Sequence, residues 1–165
     1  MDDKKVERHI LSLMVDNEPG VLSRIVGLFS GRGFNIESLC VAETTDSKIS
    51  RITLVTRGDM GFIEQIKKHL NKLINVIKVL DFTKMSFVRR EMALVKVRAQ
   101  PENRAEILRI IDIFRSRVVD VGTEFYTVEV TGDEGKINAF LDLLGPMGIK
   151  EIARTGAIAL ARDKQ

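Results

Sequence analysis

Apolar residues in this chain alternate between two spacings. His9-Ile10-Leu11-Ser12-Leu13-Met14-Val15 is a short, nearly continuous apolar run, the length of a buried strand. Val21, Leu22, Ile25, Val26 and Phe29 then recur every three or four residues and predict a helix with one apolar face. Two extended segments follow, near 35–44 and 50–56, joined by the turn Asp46-Ser47-Lys48. Ile63, Ile66, Leu70 and Leu73 restore the helical period, and Val76–Asp81 reads as a last strand. The order strand, helix, strand, strand, helix, strand predicts a four-stranded antiparallel sheet with both helices on one face, the ferredoxin-like plan.

The second half repeats this order. Residues 91–99 alternate as a strand, with Ala93, Val95 and Val97 on one side and Leu94, Lys96 and Arg98 on the other. Pro101 suits the first turn of a helix carrying Ile107, Leu108, Ile111 and Phe114. Strands at 118–121 and 125–131 flank a turn at Gly122. Asp133 is placed to cap a fourth helix, which is expected to stop at Gly145-Pro146. Residues 149–161 form a final strand interrupted by Gly156. Leu22, Ile25, Val26 and Phe29 recur in register as Ile107, Ile110, Ile111 and Phe114. The fold class is therefore α+β, with two tandem βαββαβ domains over residues 1–84 and 85–165. Units of about 80 residues lie near the lower limit for an independent core, so association is expected.

Composition narrows the function classes. Apolar residues make 44% and charged residues 30% of the 165, ordinary for a globular chain. No apolar run reaches membrane-spanning length, and Met1-Asp2-Asp3-Lys4-Lys5 lacks the apolar core of a signal peptide. Cys40 is the only cysteine, which excludes an internal disulfide and sets a cytoplasmic location as the default. The net charge of +3, one Tyr and no Trp speak against a nucleic-acid platform. The more basic stretch Lys84–Arg117 reads as a solvated or protein-contact face.

Catalytic chemistry is not displayed. Cys40 lies within an apolar strand and reads as a small packing residue. His9 and His69 sit on a strand and a helix without a ligand pattern around them. Glu37 and Glu43 share a strand face, which is a weak basis for an acid–base pair. Gly31-x-Gly33 lacks the rest of a phosphate loop and reads as a helix stop. No catalytic residue and no metal ligand set is assigned.

The informative stretch is Asp16-Asn17-Glu18-Pro19-Gly20-Val21-Leu22-Ser23-Arg24, a polar turn between a buried strand and a helix. Helix-start N–H groups and the positive end of the dipole suit a carboxylate. Gly20 keeps a Cβ out of the way, and Asn17 offers a donor and an acceptor. From spacing alone, both residues are equally explained as turn formers. The layout suits a small anion or an amino acid.

With the continuation Gly33-Phe34-Asn35-Ile36-Glu37-Ser38-Leu39 and the second-half segments 90–97 and 135–141, the chain resembles the ACT-domain small regulatory subunit of acetohydroxyacid synthase (acetolactate synthase). The resemblance runs along nearly the whole chain. It implies a non-catalytic subunit that dimerises through its ACT domains and activates a large catalytic subunit. It also implies feedback inhibition by a branched-chain amino acid, valine in first place. Asn17, Gly20, Val21 and Leu22 of one protomer and Asn35 and Ile36 of the other would form the site. Thiamine diphosphate and magnesium, with FAD as a further candidate, would belong to the catalytic partner and none to this chain. The alternatives are a free-standing amino-acid sensor acting on transcription or on another enzyme, and a small enzyme on the same fold. A helix-turn-helix or a convergent acid–base set would mark them, and neither is visible.

Overall fold

Two antiparallel sheets, each backed by a pair of helices, account for the periodicities. The computed structural model describes residues 6–163. The first sheet uses β1 (Glu7–Asp16), β2 (Ile36–Glu43), β3 (Ile49–Gly58) and β4 (Val76–Asp81), in the order β2-β3-β1-β4. Helices α1 (Val21–Ser30) and α2 (Met60–Leu70) pack on one face. Leu11, Leu13, Ile52 and Leu54 meet Ile25, Phe29, Ile63 and Ile66 there in one buried core. Strand alternation sends the intervening residues to the other face. Leu73 lies beyond the end of α2, yet still packs against the core.

The second sheet uses β5 (Phe87–Arg98), β6 (Arg117–Val121), β7 (Phe125–Gly132) and β8 (Ile149–Arg154), in the order β6-β7-β5-β8. Its helices are α3 (Arg104–Ile113) and α4 (Glu134–Gly148). Ala93, Val95 and Val97 meet Ile107, Ile111, Ile137 and Phe140 in a separate core. Two expected boundaries move. Pro101 precedes α3, because the N–H groups of Asn103 and Arg104 both donate to the Gln100 carbonyl at 3.0 Å and hold a turn there. Helix α4 continues through Pro146 to Gly148. The carbonyl that Pro146 leaves without a donor belongs to exposed Asp142 and is open to water, and Gly148, at φ 96°, ends the helix.

The described residues divide by contacts into two units, 6–88 with 157–163, and 89–156. The expected single cut at 84/85 thus becomes a cut at 88/89 with a returning C-terminal segment. The reason is packing. Ala157 and Ala159 join Ile10, Val55 and Phe82 in a third buried cluster, on the first sheet's face away from its helices. The Ala157 N–H donates to Ser38 Oγ at 3.0 Å, and the Arg162 N–H to the Ser86 carbonyl at 2.9 Å. Strand β9 (Ile158–Ala161) pairs with β5.

The internal repeat is imperfect where it matters. Helix α3 buries Ile107, Ile110 and Ile111, whereas α1 buries Val21, Ile25 and Phe29. Val21 takes the inward slot of the first turn, and Leu22 is rotated outward, 39% exposed. A second repeat lies at the sheet-to-helix turns, Gly58-Asp59-Met60-Gly61 and Gly132-Asp133-Glu134-Gly135. Asp59 accepts from the Phe62 N–H at 2.7 Å and Asp133 from the Lys136 N–H at 2.8 Å, the same cap in both units. Asp59→Ala and Asp133→Ala should each cost about 1 kcal/mol of unfolding free energy, read by denaturant titration. The preceding glycines should differ. A Cβ at Gly58 runs into the Phe62 ring, which is stacked on Phe34 at 3.5 Å between centroids. At Gly132 its nearest neighbours are the Cδ, Cβ and Cγ of Lys136, an aliphatic stem that can turn aside more readily than a stacked ring. Gly58→Ala should therefore lower the melting temperature clearly more than Gly132→Ala.

Candidate functional site

The end of β1 delivers Asn17 to the tip of the β2–β3 hairpin. Its backbone N–H donates to the Lys48 carbonyl at 2.8 Å. Its side-chain amide donates to the Ser47 carbonyl at 2.9 Å and to Glu43 at 3.2 Å. Both amide hydrogens are thereby used, and Asn17 Oδ1 remains an acceptor on an exposed side chain. The hairpin tip is itself held by Asp46, whose carboxylate accepts from the Lys48 N–H at 2.9 Å.

Three residues on, Gly20 stands at φ 86°, ψ −12°, the left-handed region that favours glycine. A Cβ there would meet nothing within 4 Å, so the backbone is open on that side. Helix α1 starts immediately after, with no side-chain cap and no acidic residue in its first turn. The Val21 N–H reaches the Glu18 carbonyl at 3.4 Å, and no side-chain carboxylate of the first turn offsets the positive helix end, a condition that suits an anion. Val21 is turned into the core and Leu22 outward, so of these two only Leu22 presents its side chain at the surface.

Asn35 and Ile36 lie elsewhere. The Asn35 carbonyl accepts from the Thr56 hydroxyl at 2.8 Å, and Ile36 packs partly into the core. Ile36 pairs with Thr56, whereas Glu43, beside Asn17, pairs with Ser50. Six steps along β3 separate the two positions, about 20 Å of extended strand. One chain therefore brings Asn17, Gly20 and Leu22 together at one end of the sheet and sets Asn35 and Ile36 at the other. Strand β2, which spans the two ends, is the sheet edge and has one neighbouring strand. Its Val41, Ala42 and Glu43 are exposed.

The other candidates resolve into packing. His9 is buried, with Nδ1 at 2.8 Å from the Thr83 hydroxyl and Nε2 at 3.1 Å from the Gly58 carbonyl. His69 contacts Arg32 at 2.7 Å. Cys40 is half-buried in β2, paired with Thr53. Glu37 sits at a bulge between Ile36 and Ser38 and pairs with Arg8 at 2.6 Å and Arg57 at 2.5 Å, apart from Glu43. Gly33, at φ 70°, ends α1, with the Phe34 N–H returning to the Phe29 carbonyl. Much of the basic stretch is matched locally: Arg89 with Glu134, Lys96 with Glu151, Arg109 with Glu106 and Arg117 with Glu129. Among the described residues no three His, Cys, Asp or Glu side chains gather as a metal site, and no helix is long and apolar enough to cross a membrane.

Sequence reasoning missed the residues that hold the turn. Glu43, Ser47 and Asn75 reach it across 26 to 59 positions of chain. Such pairs leave no periodic signal; only the hairpin sequence 44–48 hinted that a tip existed.

Comparison with known proteins places both halves of the chain in one family. Residues 11–78 match the family described as AHAS small subunit-like ACT domain, and residues 90–163 match the small subunit of acetolactate synthase. The acetolactate synthase small subunit of Aquifex aeolicus is 52% identical over 161 residues, covering 96% of this chain and 83% of that one. The "Probable acetolactate synthase small subunit" of Archaeoglobus fulgidus is 51% identical over 158 residues, covering 96% and 99%. The crystal structure of the acetolactate synthase small subunit from Thermotoga maritima aligns with a TM-score of 0.88 at 40% identity, covering 96% and 99%. With both halves matched in order and at these identities, the chain belongs to the acetolactate synthase small-subunit family and opens with its ACT domain.

Proposed function

We propose that this protein is the regulatory subunit of a two-component acetolactate synthase and senses a branched-chain amino acid at a site shared by two copies. The reading is supported by one observation: Asn17 and Gly20 lie about 20 Å from Asn35 and Ile36 along an edge strand. A two-fold axis pairing β2 with the β2 of a second copy would run the strands antiparallel. The Ile36 end of one then lies against the Glu43 end of the other, beside Asn17 and the start of α1. The effector carboxylate takes the α1 N-terminus near Gly20, and Asn17 Oδ1 with the Asn35 carbonyl takes the ammonium. Leu22 and Ile36 of opposite copies supply the apolar wall for a branched side chain. Valine is the first candidate.

The chain contributes no catalytic group in this reading. It acts through a large catalytic partner, which holds the thiamine diphosphate. Effector binding favours one arrangement of the regulatory dimer, and the shift in the partner's activity is bounded by that preference, about 1–3 kcal/mol for coupled sites. A free-standing sensor of transcription is disfavoured by the absence of a basic DNA-binding element among the described residues.

Gly20 tests the pocket. Gly20→Asp keeps a residue type that tolerates the left-handed backbone and puts a carboxylate where the effector carboxylate belongs. Calorimetric binding of valine, leucine and isoleucine should be lost, and the reconstituted holoenzyme should resist feedback. Gly20→Ala separates conformation from charge. It should lower unfolding free energy by about 1–2 kcal/mol through backbone strain, with a smaller loss of binding than Gly20→Asp. Full inhibition of the Gly20→Asp holoenzyme would refute the assignment.

Sharing of the site makes a second prediction. Sedimentation equilibrium should show a dimer tightened by the amino acid, with linkage worth about 2.7 kcal/mol at a hundredfold excess over Kd. A monomer that binds the amino acid at full affinity would refute the two-copy site.

A further inference from the structure

Half-buried Asn75, just ahead of β4, bonds both the chain entering the effector turn and the helix leaving it, without a hydrogen bond to Asn17 or Gly20. Its carbonyl accepts from the Asp16 N–H at 2.9 Å. Its side-chain amide donates to the Asp16 carboxylate at 3.1 Å and to Glu18 at 3.4 Å. Its Oδ1 accepts from the Arg24 guanidinium at 2.9 Å. Arg24 in turn closes the first turn of α1, its N–H donating to the Gly20 carbonyl at 3.1 Å. The β1–β4 register shifts between Met14 and Val15, so β4 departs from regular pairing at this point.

We infer that Asn75 is a positioning residue for the effector turn, fixing the end of β1 and the first turn of α1 at the spacing that amino-acid binding needs. The inference rests on the reading of the Asn17–Leu22 turn as an effector site. Its chemistry is specific. The residue must donate to two carboxylates and accept from a guanidinium at once. A side-chain amide does both, whereas a carboxylate only accepts and an ammonium only donates. Without it, the chain entering the turn and the helix leaving it lose their common anchor. Gly20 and the α1 N-terminus then sample positions that do not match the ligand, and affinity falls with no ligand contact removed.

The test is calorimetric titration of the full-length protein with valine, leucine and isoleucine. Asn75→Ala should weaken binding about tenfold, which is 1.4 kcal/mol. Arg24→Ala should weaken it as well, and the double variant should fall short of the sum, since both act through one network. A swap separates positioning from general destabilisation. Asn75→Asp sets a carboxylate against Asp16 and should weaken binding by about tenfold or more. Adding Asp16→Asn to it restores a donor–acceptor pair in reversed order and should recover part of the affinity, the Glu18 contact remaining unmatched. The swap also decides the matter if Asn75→Ala does not fold. Wild-type affinity in Asn75→Ala, or a folded swap that shows no recovery, overturns the positioning role while leaving the effector turn intact. A wild-type protein that binds none of the three amino acids overturns the effector turn itself, and this inference with it.

Discussion

The antiparallel pairing of β1 with β3, ten residues in unbroken register from Glu7–Gly58 to Asp16–Ile49, is the constraint on which the rest depends. It fixes which end of the sheet receives Asn17 and which receives Asn35. It also fixes the inward face, because Leu11, Leu13, Ile52 and Leu54 must all meet the helices. A slip by one residue would turn that whole set to the opposite face, so burial enforces the register. The geometry of the candidate site is thus a by-product of core packing. The polar turn goes where the buried strand ends.

The turn combines rigid support with an open surface. Asn17 is clasped by the hairpin tip, and Asn75 and Arg24 brace the other side. Between these anchors, Gly20 and the first residues of α1 are left without a cap. A helix start is normally completed by its own Ser, Thr, Asp or Asn, worth about 1 kcal/mol. Helices α2 and α4 follow that rule through Asp59 and Asp133, whereas α1 and α3 have no side-chain cap. Of these two, α3 carries Glu106 in its first turn and α1 carries no acidic residue there; α1 is the helix whose N-terminus is proposed to meet a ligand.

The second unit shares the architecture without the turn. Its corresponding segment, Gln100-Pro101-Glu102-Asn103, keeps its backbone in a closed turn, and Arg104 donates to the Ala99 and Thr123 carbonyls. The C-terminal segment returns instead to the first unit and covers Ile10, Val55 and Phe82, with Ala157 bonded to Ser38 on the edge strand β2. A fragment cut after Lys84 would leave that apolar face without its cover.

The sequence alone determined the element order, both helix–sheet cores and the family, because periodicity of two and of three to four residues is a local property. It also marked the Asn17–Leu22 turn, whose Pro and Gly interrupt an otherwise apolar pattern. It misjudged Pro101 and Pro146, where long-lived local rules gave way to a competing turn and to an exposed carbonyl. Tertiary structure decided what depends on distant pairing. It turned Leu22 outward where its repeat partner Ile107 is buried, and brought Asn75 to Asp16 across 59 residues. It also took residues 157–163 away from the unit they follow in sequence. None of these is encoded in a window of neighbours, since each follows from which faces and ends the packed sheet brings into contact.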